Sequence, residues 1–187
     1  MNRKQALTRQ EKVRLVVGIT GFSAAIGIFV GIAHAEGLWI NTTDSMPVGL
    51  WLETSSHLAR SGDVVLLCLP DAPAESLGRS RGYIAHGSCP TGGEVLLKPV
   101  AATAGDDVEV TPSGISVNGI AIRNSAQLSR DSLRRPLPAF PAGQYRVPFG
   151  ELWLVSAHNA RSFDSRYFGP VPVAAVRGTV RPLWVAE

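Results

Sequence analysis

Leu15 to Ala33 is a run of nineteen residues without a charge, and nothing else in the chain limits its fate so strongly. As a helix, such a run is long enough to cross the hydrocarbon core of a bilayer. Arg3, Lys4, Arg9, Lys12 and Arg14 precede it against a single acid, Glu11. Positive charge next to an apolar helix keeps that end in the cytoplasm, so the remainder is expected on the far side. The reading is a basic cytoplasmic segment over 1–14, a transmembrane anchor over 15–35 and a translocated domain over 37–187. Ala33-His34-Ala35 also carries the small-x-small pattern of a cleavage site. Cleavage after Ala35 would leave nine residues before Ser45 and free the domain from the membrane, so the uncleaved anchor is favoured.

From Gly37 onward the chain reads as short strands broken by turns. With 187 residues, 45% of them hydrophobic and 18% charged, the chain can build one modest core besides the membrane segment. Strands are expected at Val48–Glu53, Asp63–Leu69, around Lys98, at Glu151–Ser156 and at Val173–Trp184, with a short helix over Pro73–Arg81. Asn118-Gly119, between Ile115-Ser116-Val117 and Ile120-Ala121-Ile122, signals a type I′ hairpin. Arg123 to Gly143 reads as a mobile surface connection. The domain is expected to be mainly β, with coiled sheets. A net charge of +3, much of it in the first fourteen residues, gives no support to nucleic-acid binding.

Two residue types in this setting point to chemistry. Ser45 lies in Thr43-Asp44-Ser45-Met46-Pro47-Val48-Gly49, where Pro47 fixes its own φ and holds Met46 extended. A rigid serine suits a nucleophile, but it needs a base. Lysines are only three, Lys4, Lys12 and Lys98, against fifteen arginines. Lys98 lies in Val95-Leu96-Leu97-Lys98-Pro99-Val100, where alternation puts Leu96 and Val100 on its own face. A lysine in apolar surroundings can lose its proton near neutral pH, which arginine cannot; the alternative is a strand lysine with its head in water. His34, His57, His86 and His158 are scattered without metal-ligand spacing, so neither a metal nor a cofactor is expected. A Ser45, His158, Asp164 triad has no nucleophile-elbow motif behind it and puts its histidine on a loop. Cys68 and Cys89, the only cysteines, fall outside the cytoplasm on this topology, where a disulfide is the default.

Ser45-Met46-Pro47, Gly62-Asp63-Val64-Val65, Lys98 with Gly105-Asp106-Asp107-Val108, and Ser162-Phe163-Asp164-Ser165-Arg166 resemble, in order and spacing, the motifs of the type I signal peptidases. The resemblance is closest to the TraF-type conjugative transfer peptidases, which share the Asp-Ser-Met-Pro-Val-Gly-Leu run and a cysteine pair. Pro99 stands where an arginine is usual, and Ser156 to Arg161 lacks the family's Gly-Asp-Asn-Arg run. The resemblance implies a serine endopeptidase with Ser45 as nucleophile and Lys98 as general base. It implies an oxyanion held by the Ser45 N–H and the Thr43 hydroxyl, with Ser162 orienting the lysine and Asp164 steadying the site. Asp164 equally fits a turn aspartate paired with an arginine.

The implied location is the bacterial inner membrane, single pass, with the catalytic domain in the periplasm. The implied partners are that membrane and a secreted or membrane-inserted precursor, foremost the propilin of a conjugative transfer system, with pilin cyclisation as one outcome. A general leader peptidase and a non-catalytic structural component of an envelope secretion channel are the alternatives.

Overall fold

The computed structural model describes residues 8–54 and 59–186. Compact units divide between Leu38 and Trp39. The first contains α1 (Arg9–Ala35), a helix of 27 residues. Leu15, Val16, Val17, Ile19 and Phe22 are each more than half exposed on it. Among the described residues no helix is long and apolar enough to cross a membrane. The anchor expected over 15–35 includes positions whose side chains lie outside the described set, among them Ile26, Ile28 and Val30, and the structure does not carry it.

The second unit is mainly β, as expected. Its larger sheet takes β1 (Leu38–Asn41), β2 (Gly49–Thr54), β3 (Val64–Leu67), β4 (Leu96–Ala102), β9 (Glu151–Leu154), β10 (Val171–Pro172) and β11 (Val176–Val185) in the order β1-β2-β11-β3-β4-β9-β10. The smaller sheet orders β7 (Ile120–Ala121), β6 (Gly114–Val117), β5 (Asp107–Thr111) and β8 (Gly143–Arg146) as β7-β6-β5-β8. The C-terminal strand β11 fills the gap between β2 and β3 and pairs antiparallel with both. Its register shifts at Val176/Gly178 and Pro182/Trp184. Bulges of this kind bend a strand, and one of them admits Pro182, which has no ladder donor to give.

Three apolar clusters result from that order. Val65, Leu67, Leu96, Val100, Leu152 and Leu154 pack with Phe163 and Tyr167 on one face of the large sheet. Met46, Trp51, Leu66, Leu97 and Val180 pack on the other. Val108, Val110, Ile115, Val147, Trp153 and Val155 fill the interior beside the small sheet. The Asn118-Gly119 hairpin has positive φ at both residues, 50° and 79°, as a type I′ turn requires. Helix α2 (Pro73–Ser80) begins at the expected proline. Cys68 and Cys89 are joined in a disulfide across the segment that contains it.

Arg123 to Gly143 differs from the loose connection expected. Gln127 donates to the carbonyls of Phe140 and Arg166, and Leu128 N–H donates to the Tyr167 hydroxyl. Asp131 accepts from Tyr83 and Arg135, while Leu137 packs on the first cluster. Its arginines and prolines look like solvent chemistry in sequence, but the Pro136 carbonyl accepts from Arg81 and Arg135 donates to the Arg81 carbonyl, contacts that help fasten the segment to the core.

Candidate active site

Ser45 sits in the turn between β1 and β2, and buried Asn41 organises that turn. The Asn41 amide Nδ2 donates to the carbonyls of Thr43, Met46 and Pro47 at 2.9, 2.9 and 3.0 Å. Its Oδ1 accepts from the Thr43 N–H at 3.1 Å and from the Thr43 hydroxyl at 2.9 Å. Thr43 Oγ1 lies 3.3 Å from Ser45 Oγ. A threonine has one hydroxyl proton, already given to Asn41, so Ser45 is the donor in that contact. Trp51, fully buried, donates its indole N–H to the Pro47 carbonyl. Gly49, at φ +145°, lets β11 approach: an added Cβ would lie 2.2 Å from the Trp184 carbonyl oxygen.

Lys98 lies on β4, paired with Val65 of β3 and preceding Pro99, which confines its backbone to the extended region. Pro99 itself opposes Val64, where β3 begins, and its carbonyl accepts from Val155 N–H. Only 4% of Lys98 is exposed. Burial pushes its ammonium from 10.5 down to about 8; Arg166 adds to the fall, while Asp164 and Glu94 oppose it. The snorkelling alternative is thereby excluded. Lys98 Nζ donates to Ser162 Oγ at 3.1 Å. Among the described residues it makes no hydrogen bond to Ser45, yet both side chains line one cleft of about 290 Å³. Trp39, Ile40, Leu66, Val95, Leu97 and Leu128 supply much of the apolar wall.

The Ser162 to Arg166 segment ends in a short helix, α3 (Ser165–Phe168), which Asp164 caps through the Arg166 N–H. Asp164 and Arg166 are both fully buried. The guanidinium meets the carboxylate twice, Nε to Oδ1 at 2.8 Å and Nη2 to Oδ2 at 2.7 Å. Its remaining donors go to the carbonyls of Asn124, Asn159 and Ala160. Asp164 Oδ2 also accepts from Ser156 N–H, and the Ser156 hydroxyl donates to the carbonyl of Ser45. Asp164 is thus both the turn aspartate paired with an arginine and a support under the serine. His158 is exposed and does not line the cleft, and the Asp164 oxygens are taken up by Arg166 and Ser156, which leaves the triad unsupported.

Ser45, Thr43, Lys98 and Ser162 therefore meet at one cleft, with Asp164 behind it. Asn41 and Ser156 were not singled out from sequence. Asn41-Thr42-Thr43 carries an Asx-turn signal that marks the first; Ser156 reaches across 111 positions to Ser45 and leaves no local trace.

A family model described as signal peptidase, peptidase S26, matches residues 9–185. This chain belongs to that family, which places it in the serine peptidase class. It is 35% identical over 177 residues to a plasmid transfer protein TraF of Escherichia coli, spanning 95% of this chain and 98% of the relative. It is 38% identical over 165 residues to a probable conjugal transfer protein TraF of Sinorhizobium fredii, spanning 88% and 86%. A crystal structure of a signal peptidase I from Enterococcus faecalis is similar at 20% identity and a TM-score of 0.37 over 66% of this chain and 97% of that one, too slight a likeness to argue from.

Proposed function

We propose that this protein is a membrane-anchored serine endopeptidase of a conjugative transfer system, and that it cleaves a precursor pilin through an acyl-enzyme on Ser45. The observation that carries the reading is a buried lysine with an ammonium pKa of about 8 in the cleft that Ser45 lines. At pH 7 about a tenth of such an amine is neutral and able to accept the serine proton. In this reading, peptide bound in the cleft brings the Ser45 hydroxyl within reach of the Lys98 amine.

Neutral Lys98 takes the hydroxyl proton as Ser45 Oγ attacks the scissile carbonyl. Among the described residues the Ser45 N–H donates to no protein group, so it is open to the developing oxyanion. The Thr43 hydroxyl joins it by turning from Asn41. Lys98 then returns the proton to the departing amine, leaving an ester on Ser45. Water opens that ester to a linear product; the amine of the pilin's own N-terminus opens it to a circular one, lighter by one water. The names of the relatives support the conjugative setting.

The anchor rests on α1. Leu15, Val16, Val17, Ile19 and Phe22 fan round the helix and are exposed, and a helix apolar on all sides is one that is covered by something. Nineteen uncharged residues behind a basic flank suit a bilayer with the cleft on its periplasmic side. The test uses the full chain in membranes with a small precursor pilin, followed by intact mass. Ser45→Ala is expected to leave the precursor whole; cleavage at the parent rate would overturn the reading.

A further inference from the structure

The turn that presents Ser45 is held by two side chains that take no part in the bond changes. Six peptide planes run from Thr42–Thr43 to Pro47–Val48, and five of them are fixed by Asn41 or Ser156. Asn41 holds the planes on either side of the serine through the Thr43 N–H, the Thr43 carbonyl and the carbonyls of Met46 and Pro47. Ser156 holds the plane that begins with the Ser45 carbonyl. The sixth plane, Asp44–Ser45, contains the amide needed by an oxyanion, and among the described residues its N–H makes no hydrogen bond. With both neighbouring planes fixed, its direction is set without a bond of its own.

Burial makes the arrangement stiff. Asn41 is 7% exposed and Ser156 is fully buried, so neither can exchange its partners for water at low cost. The amide has two hydrogens to share among three carbonyls and an oxygen already accepting twice, which uses its whole capacity. Ser156 is itself bound through its N–H to Asp164, which is clamped by Arg166. The Ser45 carbonyl is therefore tied to the same buried ion pair that acts on the Lys98 ammonium.

We infer that Asn41 and Ser156 are positioning residues for the Ser45 nucleophile, aligning its hydroxyl and its N–H from opposite sides of the turn while Lys98 supplies the base. The inference rests on the proposed role of Ser45. It assigns the two residues to the rate of acylation, and to neither binding nor base strength.

The probe is p-nitrophenyl acetate with the full chain in detergent micelles, followed by the p-nitrophenol burst and the mass of the Ser45 peptide. Ser156→Ala and Asn41→Asp are expected to slow acetylation of Ser45 by about a hundredfold, the scale of a misplacement of about 1 Å. Asn41→Asp keeps the shape and the Oδ1 acceptor but turns a donor into an acceptor facing three carbonyls. In both variants the concentration for half-maximal rate and the final extent of acetylation are expected to match the parent; the pH midpoint is read in Ser156→Ala, where it too should match, because Asn41→Asp puts a new carboxylate in the cleft of Lys98. Rates within about twofold of the parent in Ser156→Ala overturn the inference, and so does a slower rate with a displaced pH midpoint, which would mean action through Lys98. If Asn41→Asp does not fold, as read by circular dichroism, Ser156→Ala decides alone. Ser45→Ala must abolish the burst; a burst that survives it refutes the nucleophile, and the positioning inference with it, whatever the other variants do.

Discussion

Around the large sheet the interior takes in Asn41, Lys98, Ser156, Ser162, Asp164 and Arg166; beside the small sheet it takes in Val108, Val110, Ile115, Val147 and Trp153, with Ser125 nearby as a polar exception. Both regions exclude water, but only one uses the dry interior to change the chemistry of a side chain. Ser125 bonds locally, to backbone groups of Ile115 and Ile122. Two of the polar groups of the large sheet reach across the fold, Lys98 to Ser162 and Ser156 to Ser45. Buried polar groups cost stability unless every partner is in place. The large sheet therefore contains the weak points of the fold, and the small sheet behaves as ordinary packing.

Breaking the ion pair is the harshest test of that difference. Asp164→Ala strands a buried guanidinium and is expected to cost roughly 3 to 5 kcal/mol in urea unfolding. A loss below about 1 kcal/mol would mean that the carbonyls around Arg166 are enough for it.

Lys98→Met should act in the opposite direction. The fall of the lysine from 10.5 to about 8 corresponds to about 3 kcal/mol held against the folded state at pH 7. Between pH 8 and 10.5 the unfolded chain binds more protons than the folded one, so the parent should gain stability as pH rises and the methionine variant should not. An inactive variant that is more stable at pH 7, with the advantage gone by pH 10.5, is the expected result. Ile115→Val, beside the small sheet, should cost about 1 kcal/mol and leave the rate per folded molecule unchanged.

How far the chain can be read without its structure differs between the same regions. Strand pattern and turn chemistry are local, so the hairpin at Asn118-Gly119 and the helix at Pro73 are legible in sequence. β8, β10 and α3 are not, because short elements are stabilised by what packs on them. The cleft was half legible. Ser45 stands out by the proline that stiffens it, and Lys98 by its rarity and apolar strand. Asn41 shows in sequence only as the start of an Asx turn, and Ser156 is a plain polar residue until the turn closes on it. Arg123 to Gly143 misleads for the same reason, since its composition is that of a loop while its hydrogen bonds are those of a strap.

The central claim is that a buried lysine, able to give up its proton near pH 8, is the base for Ser45, and turnover by folded Lys98→Arg tests it most directly. Arginine keeps the positive charge and cannot give up its proton. With a circular dichroism spectrum like the parent's, this variant is expected to leave precursor pilin uncut at every pH, while the parent's rate rises through a midpoint near 8. Substantial cleavage by folded Lys98→Arg would contradict the account.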